Sequence, residues 1–192
     1  MSRSFYERPV LEVAEDLLGK LLVHGTTVGR VVETEAYAVE GDPACHTAHQ
    51  KKARQFVARH PAGTSYVYLN YGVHWLFNLF TKYPSGDGLV LVRALEPVAG
   101  VQLMQERRNK LRLRDLCSGP GKIGQALAIG PDQHEQTLWG RGQALHLRDD
   151  GRSLGPVARD LRIGISKAVD FPWRFLLPES EHLSVPLTGK VS

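Results

Sequence analysis

The chain has 192 residues, 42% of them apolar and 23% charged, with a formal net charge of +4. That supplies one sizeable core and one domain, while no run reaches the roughly 20 apolar residues that span a bilayer and the start reads as no signal peptide. Two distant cysteines, Cys45 and Cys117, are too few for a disulfide framework, so a reducing, cytoplasmic setting is expected.

In chain order, Pro9–Leu18 reads as a short helix, because Val10, Ala14, Leu17 and Leu18 recur at helical spacing and Gly19 stops it. Lys20–His24 and Val28–Tyr37 read as strands around the turn-forming GTTVG. The segment AVEGDPACHTAHQ has no period and reads as loop. An aromatic and β-branched stretch, broken at Gly72 and SGDG, predicts three antiparallel strands at 64–70, 73–82 and 88–95 in a meander. Val98–Asn109 predicts a helix. Ser118 and Pro120 start another in CSGPGKIGQALAI, although Gly121 and Gly124 weaken it. The tail alternates strand-like runs, QALHLRD, RIGIS and RFLLP, with Gly and Pro. With no repeat and no linker, the expected class is α+β: one domain around a curved antiparallel sheet, with a protruding β-hairpin and flanking helices.

Basic residues gather in HQKKARQFVARH (Lys51, Lys52, Arg54, Arg59) and in ERRNKLRLRD (Arg107, Arg108, Lys110, Arg112, Arg114). Each is either a solvated helix end with its loop or a phosphate contact whose affinity falls with salt.

Chemistry concentrates in VVETEAY. Strand alternation puts Glu33, Glu35 and Tyr37 on one face and Val32, Thr34 and Ala36 on the other. The pair is either a solvated face or a base in a site roofed by the tyrosine. Tyr71, between Asn70 and Gly72 at a hairpin tip, either lies flat on its own domain or projects as a wedge between stacked bases. Asn78 interrupts the apolar run WLFNLF and Arg93 the run LVLVRAL. Each is a structural cross-link or a pocket group, with Glu96 or another carboxylate as the partner for Arg93. Cys45, His46 and His49 supply at most three ligands in one loop with no matching pair elsewhere, so no metal site is expected. SGPGKIG lacks P-loop spacing, but Lys122 and backbone amides at the helix start can hold one phosphate.

Together and in order, VVETEAY, CH, GTSYVYLNYG, FN, LVRALEP, CSGPGKIGQALAI and RIGI…PWRF make the chain resemble the alkyladenine (3-methyladenine) DNA glycosylase family, the mixed α/β single-domain type. The resemblance runs from about Pro9 to about Ser184. It implies excision of damaged purines (3-methyladenine, 7-methylguanine, hypoxanthine, 1,N6-ethenoadenine) from double-stranded DNA, leaving an abasic site. It assigns Glu35 as the base that activates water and gives Glu33 a structural role. Tyr37 and Tyr68 stack on the extruded base, with His46 completing the pocket. Tyr71 fills the gap in the duplex, Asn78 rejects the exocyclic amine of guanine, and Arg93 lies near the sugar and its phosphates. Ser118 and Lys122 hold the backbone. Where relatives commonly carry Thr-x-Arg-Asn, this chain has Lys52-Ala53-Arg54-Gln55, in which Arg54 keeps the charge for DNA. His74 and Trp75 stand where relatives can carry Met and Tyr. No lysine adjoins Glu35, so a monofunctional, cofactor-free monomer is implied. The rival readings are a non-catalytic nucleic-acid-binding domain and a metal-dependent hydrolase.

Overall fold

The computed structural model describes residues 1–153 and 155–189; Leu154 and residues 190–192, which the single-domain reading also spans, lie outside them. The organising element is β2 (Thr27–Ala38). β1 (Leu21–His24) pairs antiparallel with its first half, Leu21 opposite Arg30. β5 (Gly88–Ala99) runs along its other edge, from Val28 opposite Ala99 to Ala38 opposite Gly88. Beside Glu33–Glu35, β8 (Arg174–Leu176) takes the place of β1. β6 (Leu145–Arg148) follows β1, β7 (Ala158–Asp160) follows β8, and β3 (Ser65–Asn70) and β4 (His74–Thr81) extend the sheet beyond β5. The order β3-β4-β5-β2-β1-β6 contains the expected meander, and the sheet curls into a half-barrel.

Bulges bend and twist the β2–β5 pair, with Val32 the extra residue in β2 and Arg93 the extra residue in β5. Register shifts fall between Val31 and Glu33 and between Glu33 and Thr34. Val31 and Ala36 face the main core, and Thr34 joins them by donating its hydroxyl to the Ala14 carbonyl at 2.7 Å. Val32 instead packs with Ala94, Leu176 and Leu183. Simple alternation therefore fails at Val32, while Glu33, Glu35 and Tyr37 keep their common face.

α1 (Val10–Asp16) buries Val10, Val13 and Ala14 against this core. α5 (Pro120–Leu127) buries Ile123, Gly124, Ala126 and Leu127 and packs on β4. Its weakening glycines explain themselves here. A Cβ at Gly124 would stand 2.4 Å from the Trp75 carbonyl oxygen, and one at Gly121 would stand 2.8 Å from the His74 ring. Helix propensity is given up for a close approach to the tip end of the β3–β4 hairpin, where Asn70 pairs with His74 and Leu69 with Trp75.

Other expectations need correction. The helix expected at Val98–Asn109 is α3 (Val101–Arg108), because β5 runs on to Ala99 and Gly100, at φ 67°, separates the two elements. The basic segment near residue 50 forms a full helix, α2 (Lys51–Arg59), with Ala53, Phe56 and Val57 buried. A one-turn helix, α4 (Arg114–Cys117), precedes Ser118. RIGIS is not a strand: the Ile163 amide donates to the Glu35 carboxylate instead of to a ladder, and the edge strand is β7, just before it. No helix among the described residues is long and apolar enough to cross a membrane.

Candidate active site

Glu33 and Glu35 are both fully buried, and their surroundings differ. Glu33 accepts from Arg174 Nε at 2.7 Å, from the Ser184 hydroxyl at 2.8 Å and from the Ser184 amide at 2.7 Å. Arg174, fully buried itself, also donates to Asp160 at 2.9 Å and to the Val185 carbonyl. Asp160 is held in turn by the Thr188 amide at 2.8 Å. Buried charges persist when their lone pairs and protons are satisfied, and around Glu33 they are.

Glu35 Oε1 accepts the Ile163 amide at 2.7 Å; Oε2 accepts the Tyr37 hydroxyl at 2.8 Å and Arg93 Nη1 at 3.3 Å. Burial outweighs these three donors and raises the Glu35 carboxyl above its ordinary range, with the nearby Glu33 charge adding to the rise. Arg93 lies between the two acids, its Nε 3.4 Å from Glu33, and not on Glu96, whose partner is Arg30 at 3.9 Å.

In front of this cluster is a cavity of about 680 Å³, lined by Tyr37, His46, Tyr66, Tyr68, Asn78 and Arg93 among others. Glu35 is one layer behind the wall: Tyr37, Arg93 and Ile163, which bond to it, all line the cavity. The Tyr37 ring lies against the Arg162 guanidinium, 4.7 Å from its centroid, and Arg162 is buried on Asp42 at 2.6 and 2.9 Å. The His46 ring meets Tyr68 at 4.3 Å between centroids, and its Nδ1 lies 3.2 Å from the Tyr66 hydroxyl. Burial, with His49 nearby, pushes His46 down to about 4, which leaves it neutral at physiological pH. Asn78 Nδ2 donates to the Tyr66 carbonyl at 3.2 Å, so it is both a cross-link and a wall of the cavity.

Tyr71 stands 87% exposed at the hairpin tip with φ 50°, between Asn70 and a left-handed Gly72. It does not lie flat on the domain. On the neighbouring rim, Pro120 of α5 lines the cavity, Lys122 Nζ donates to the Ser118 hydroxyl at 3.0 Å, and that hydroxyl donates to the Arg114 carbonyl at 2.6 Å. Arg54 is exposed outside the cavity and donates to the Thr47 carbonyl at 2.8 Å, bracing the loop that carries His46. The three CHTAH donors diverge: Cys45 is buried beside the Thr47 hydroxyl, while His46 turns to Tyr66. Among the described residues no group of three or more His, Cys, Asp or Glu is arranged to hold a metal.

The fold thus brings Glu35, Tyr37, His46, Tyr68, Asn78 and Arg93 together, with Tyr71, Ser118 and Lys122 at the rim and Arg54 behind a supporting loop. Reading the sequence missed Ile163, Arg162, Asp42 and Arg174. The signal available was two arginines, in RIGI and in PWRF, within apolar surroundings that oblige each to find a carboxylate.

A family model for methylpurine-DNA glycosylase matches residues 4–181. A protein of Chlorobaculum parvum is 39% identical over 98% of this chain and 92% of its own length. One of Salinibacter ruber is 44% identical over 94% of each chain. One of Methanoculleus marisnigri is 45% identical over 94% of this chain and 96% of its own. All three carry the name "Putative 3-methyladenine DNA glycosylase". A family match over nearly the whole chain, on a fold that gathers the motif residues around one cavity, leads to one conclusion: this chain belongs to the methylpurine-DNA glycosylase family and is a DNA glycosylase.

Proposed function

We propose that the protein extrudes a damaged purine of the 3-methyladenine, 7-methylguanine, hypoxanthine or ethenoadenine class from duplex DNA and hydrolyses its N-glycosidic bond with water activated by Glu35. The observation that carries this reading is the position of Glu35, a buried carboxylate of raised pKa directly behind the wall of an aromatic cavity. As the bond breaks, its electron pair leaves with the base and positive charge builds on the sugar. Water adds at the anomeric carbon, and Glu35 takes its proton and steadies the charge. Arg93 and the Ile163 amide hold the carboxylate in place. Tyr37 on one side and Tyr68 with His46 on the other form the slot for the base, a surface suited to electron-poor or cationic rings.

Tyr71 fills the gap left in the duplex, so unstacking is cheapest at damaged or mismatched bases. Asn78, fixed by its bond to Tyr66, rejects the exocyclic amine of guanine. No lysine adjoins Glu35, so the enzyme is monofunctional and leaves an intact abasic strand. It acts as a monomer, in the cytoplasm or on the nucleoid.

The test is single-turnover base release from a duplex carrying one hypoxanthine or ethenoadenine, read with and without alkali, for wild type and Glu35→Gln. Release by the wild type, breaks only after alkali, and a large loss in a variant that still binds are expected. Binding without release on these duplexes and on methylated DNA would instead favour a non-catalytic binding domain.

A further inference from the structure

Of the cationic side chains lining the cavity, Arg93 is committed to Glu33 and Glu35, but Lys167 has no ion pair among the described residues. Lys167 is exposed at the mouth, and the one lysine ion pair among the described residues is Lys20 with Asp149. We propose that Lys167 binds a phosphodiester of the extruded nucleotide, an assignment that rests on the base-excision reading above.

The loop is built for a fixed placement. At one end the Ile163 amide is bonded to Glu35 at 2.7 Å; at the other the Ala168 carbonyl accepts from Arg162 at 3.3 Å. Gly164 at φ 74° and Ala168 at φ 47° turn the chain sharply between these anchors. The lysine therefore swings on its own stem from a backbone tied to the catalytic carboxylate. Extruding a nucleotide drags its phosphates towards a mouth with a buried carboxylate behind it, and like charges oppose the move. Among the described residues no acidic side chain lines the cavity, and Pro120, next to the Ser118–Lys122 pair, forms another part of its lining. An ammonium on a flexible stem suits a phosphate as a mobile point charge.

The experiment uses Lys167→Ala and Lys167→Arg with a duplex holding a tetrahydrofuran abasic analogue, with affinity measured across a salt series. Lys167→Ala is expected to bind about fivefold more weakly at moderate salt, with a log–log salt slope shallower by about 1. Lys167→Arg should restore both, and undamaged duplex should show no change of slope. An unchanged slope on the analogue, or an equal loss on undamaged duplex, would overturn the assignment. So would a borohydride-trapped adduct on a natural abasic site that Lys167→Ala abolishes, since that marks the amine condensing with the sugar aldehyde and expelling water. The analogue has no base to lose. A wild type that binds it with a Lys167-dependent slope, yet releases no base from the hypoxanthine and ethenoadenine duplexes or from methylated DNA, would therefore refute the proposed excision and leave the phosphate contact standing.

Discussion

Glu33 and Glu35 share a residue type, a strand face, complete burial and a neighbour in Arg93, yet they are not equivalent. Around Glu33 an arginine and both polar groups of Ser184 complete a closed network. Glu35 also has three donors, but the one arginine among them stands at 3.3 Å, the backing is a cavity wall, and burial is left partly uncompensated. A charge whose partners offset its burial in a closed network serves the fold; one whose burial outweighs its partners, behind a cavity wall, is available for chemistry.

The largest effect that can break this contrast is Glu35→Gln, expected to slow single-turnover base release about 10²–10⁴-fold while binding persists. Stability should move the other way. A folded-state pKa raised above the ordinary 4.5 gives a stabilising contribution below that value that is lost as pH rises through the raised one. Wild type should therefore lose stability relative to Glu35→Gln as pH rises from about 4.5, read by denaturant unfolding at several pH values. Glu33→Ala inverts the pattern. It takes from the buried Arg174 one of its two carboxylate partners, leaving its Nε unpaired, and should cost about 3–5 kcal/mol of unfolding free energy, whereas the protein that does fold still releases base. Equal loss of activity in both variants would erase the distinction.

Tyr37→Phe sharpens it. The ring stays and the hydroxyl goes, and that hydroxyl is one of the groups holding the Glu35 pKa down. Its removal moves the acid limb of the pH–rate profile to higher pH and leaves the rate well above that limb little changed. His46 titrates at about 4, so His46→Gln should leave the limb where it is. A limb that follows His46 would transfer the titration to the wrong residue and undo the assignment of Glu35.

What was legible in the sequence follows the same division. The meander, the hairpin with Tyr71 at its tip and α5 were readable because alternation, Gly72 and the Ser118–Pro120 start are local signals. The common face of Glu33, Glu35 and Tyr37 was readable for the same reason. Spacing could not choose between the two acids, because the choice depends on Ser184, Arg174 and Ile163, which lie 128 or more positions further along the chain in their bonds to these residues. The bulge that turns Val32 away from Thr34 likewise shows only in the pairing with β5, at the place where the other edge of β2 changes partner from β1 to β8. RIGIS was misread because its apolar pattern suits a strand while its amide is used by a carboxylate.

The smallest expected effect extends the contrast to the surface. Within ERRNKLRLRD, Arg107 donates to the Ala126 carbonyl at 2.9 Å and Arg108 to the Asp115 carbonyl at 3.4 Å, so both brace helices. Lys110, Arg112 and Arg114 are exposed and carry no ion pair among the described residues, and Leu111 between them is 84% exposed. The segment leads to Ser118 on the cavity rim, since the Arg114 carbonyl accepts the Ser118 hydroxyl. If unspent charge marks function here too, Lys110→Ala with Arg112→Ala should weaken binding to undamaged duplex only a fewfold. The salt slope should become shallower by at most about 2, and the single-turnover rate at saturating enzyme should be untouched. Arg107→Ala with Arg108→Ala should lower thermal stability and leave the slope alone. The reverse pairing of outcomes would show that a free cation on this surface is no more than a solvated one, and that the rule separating Glu33 from Glu35 holds only where water is excluded.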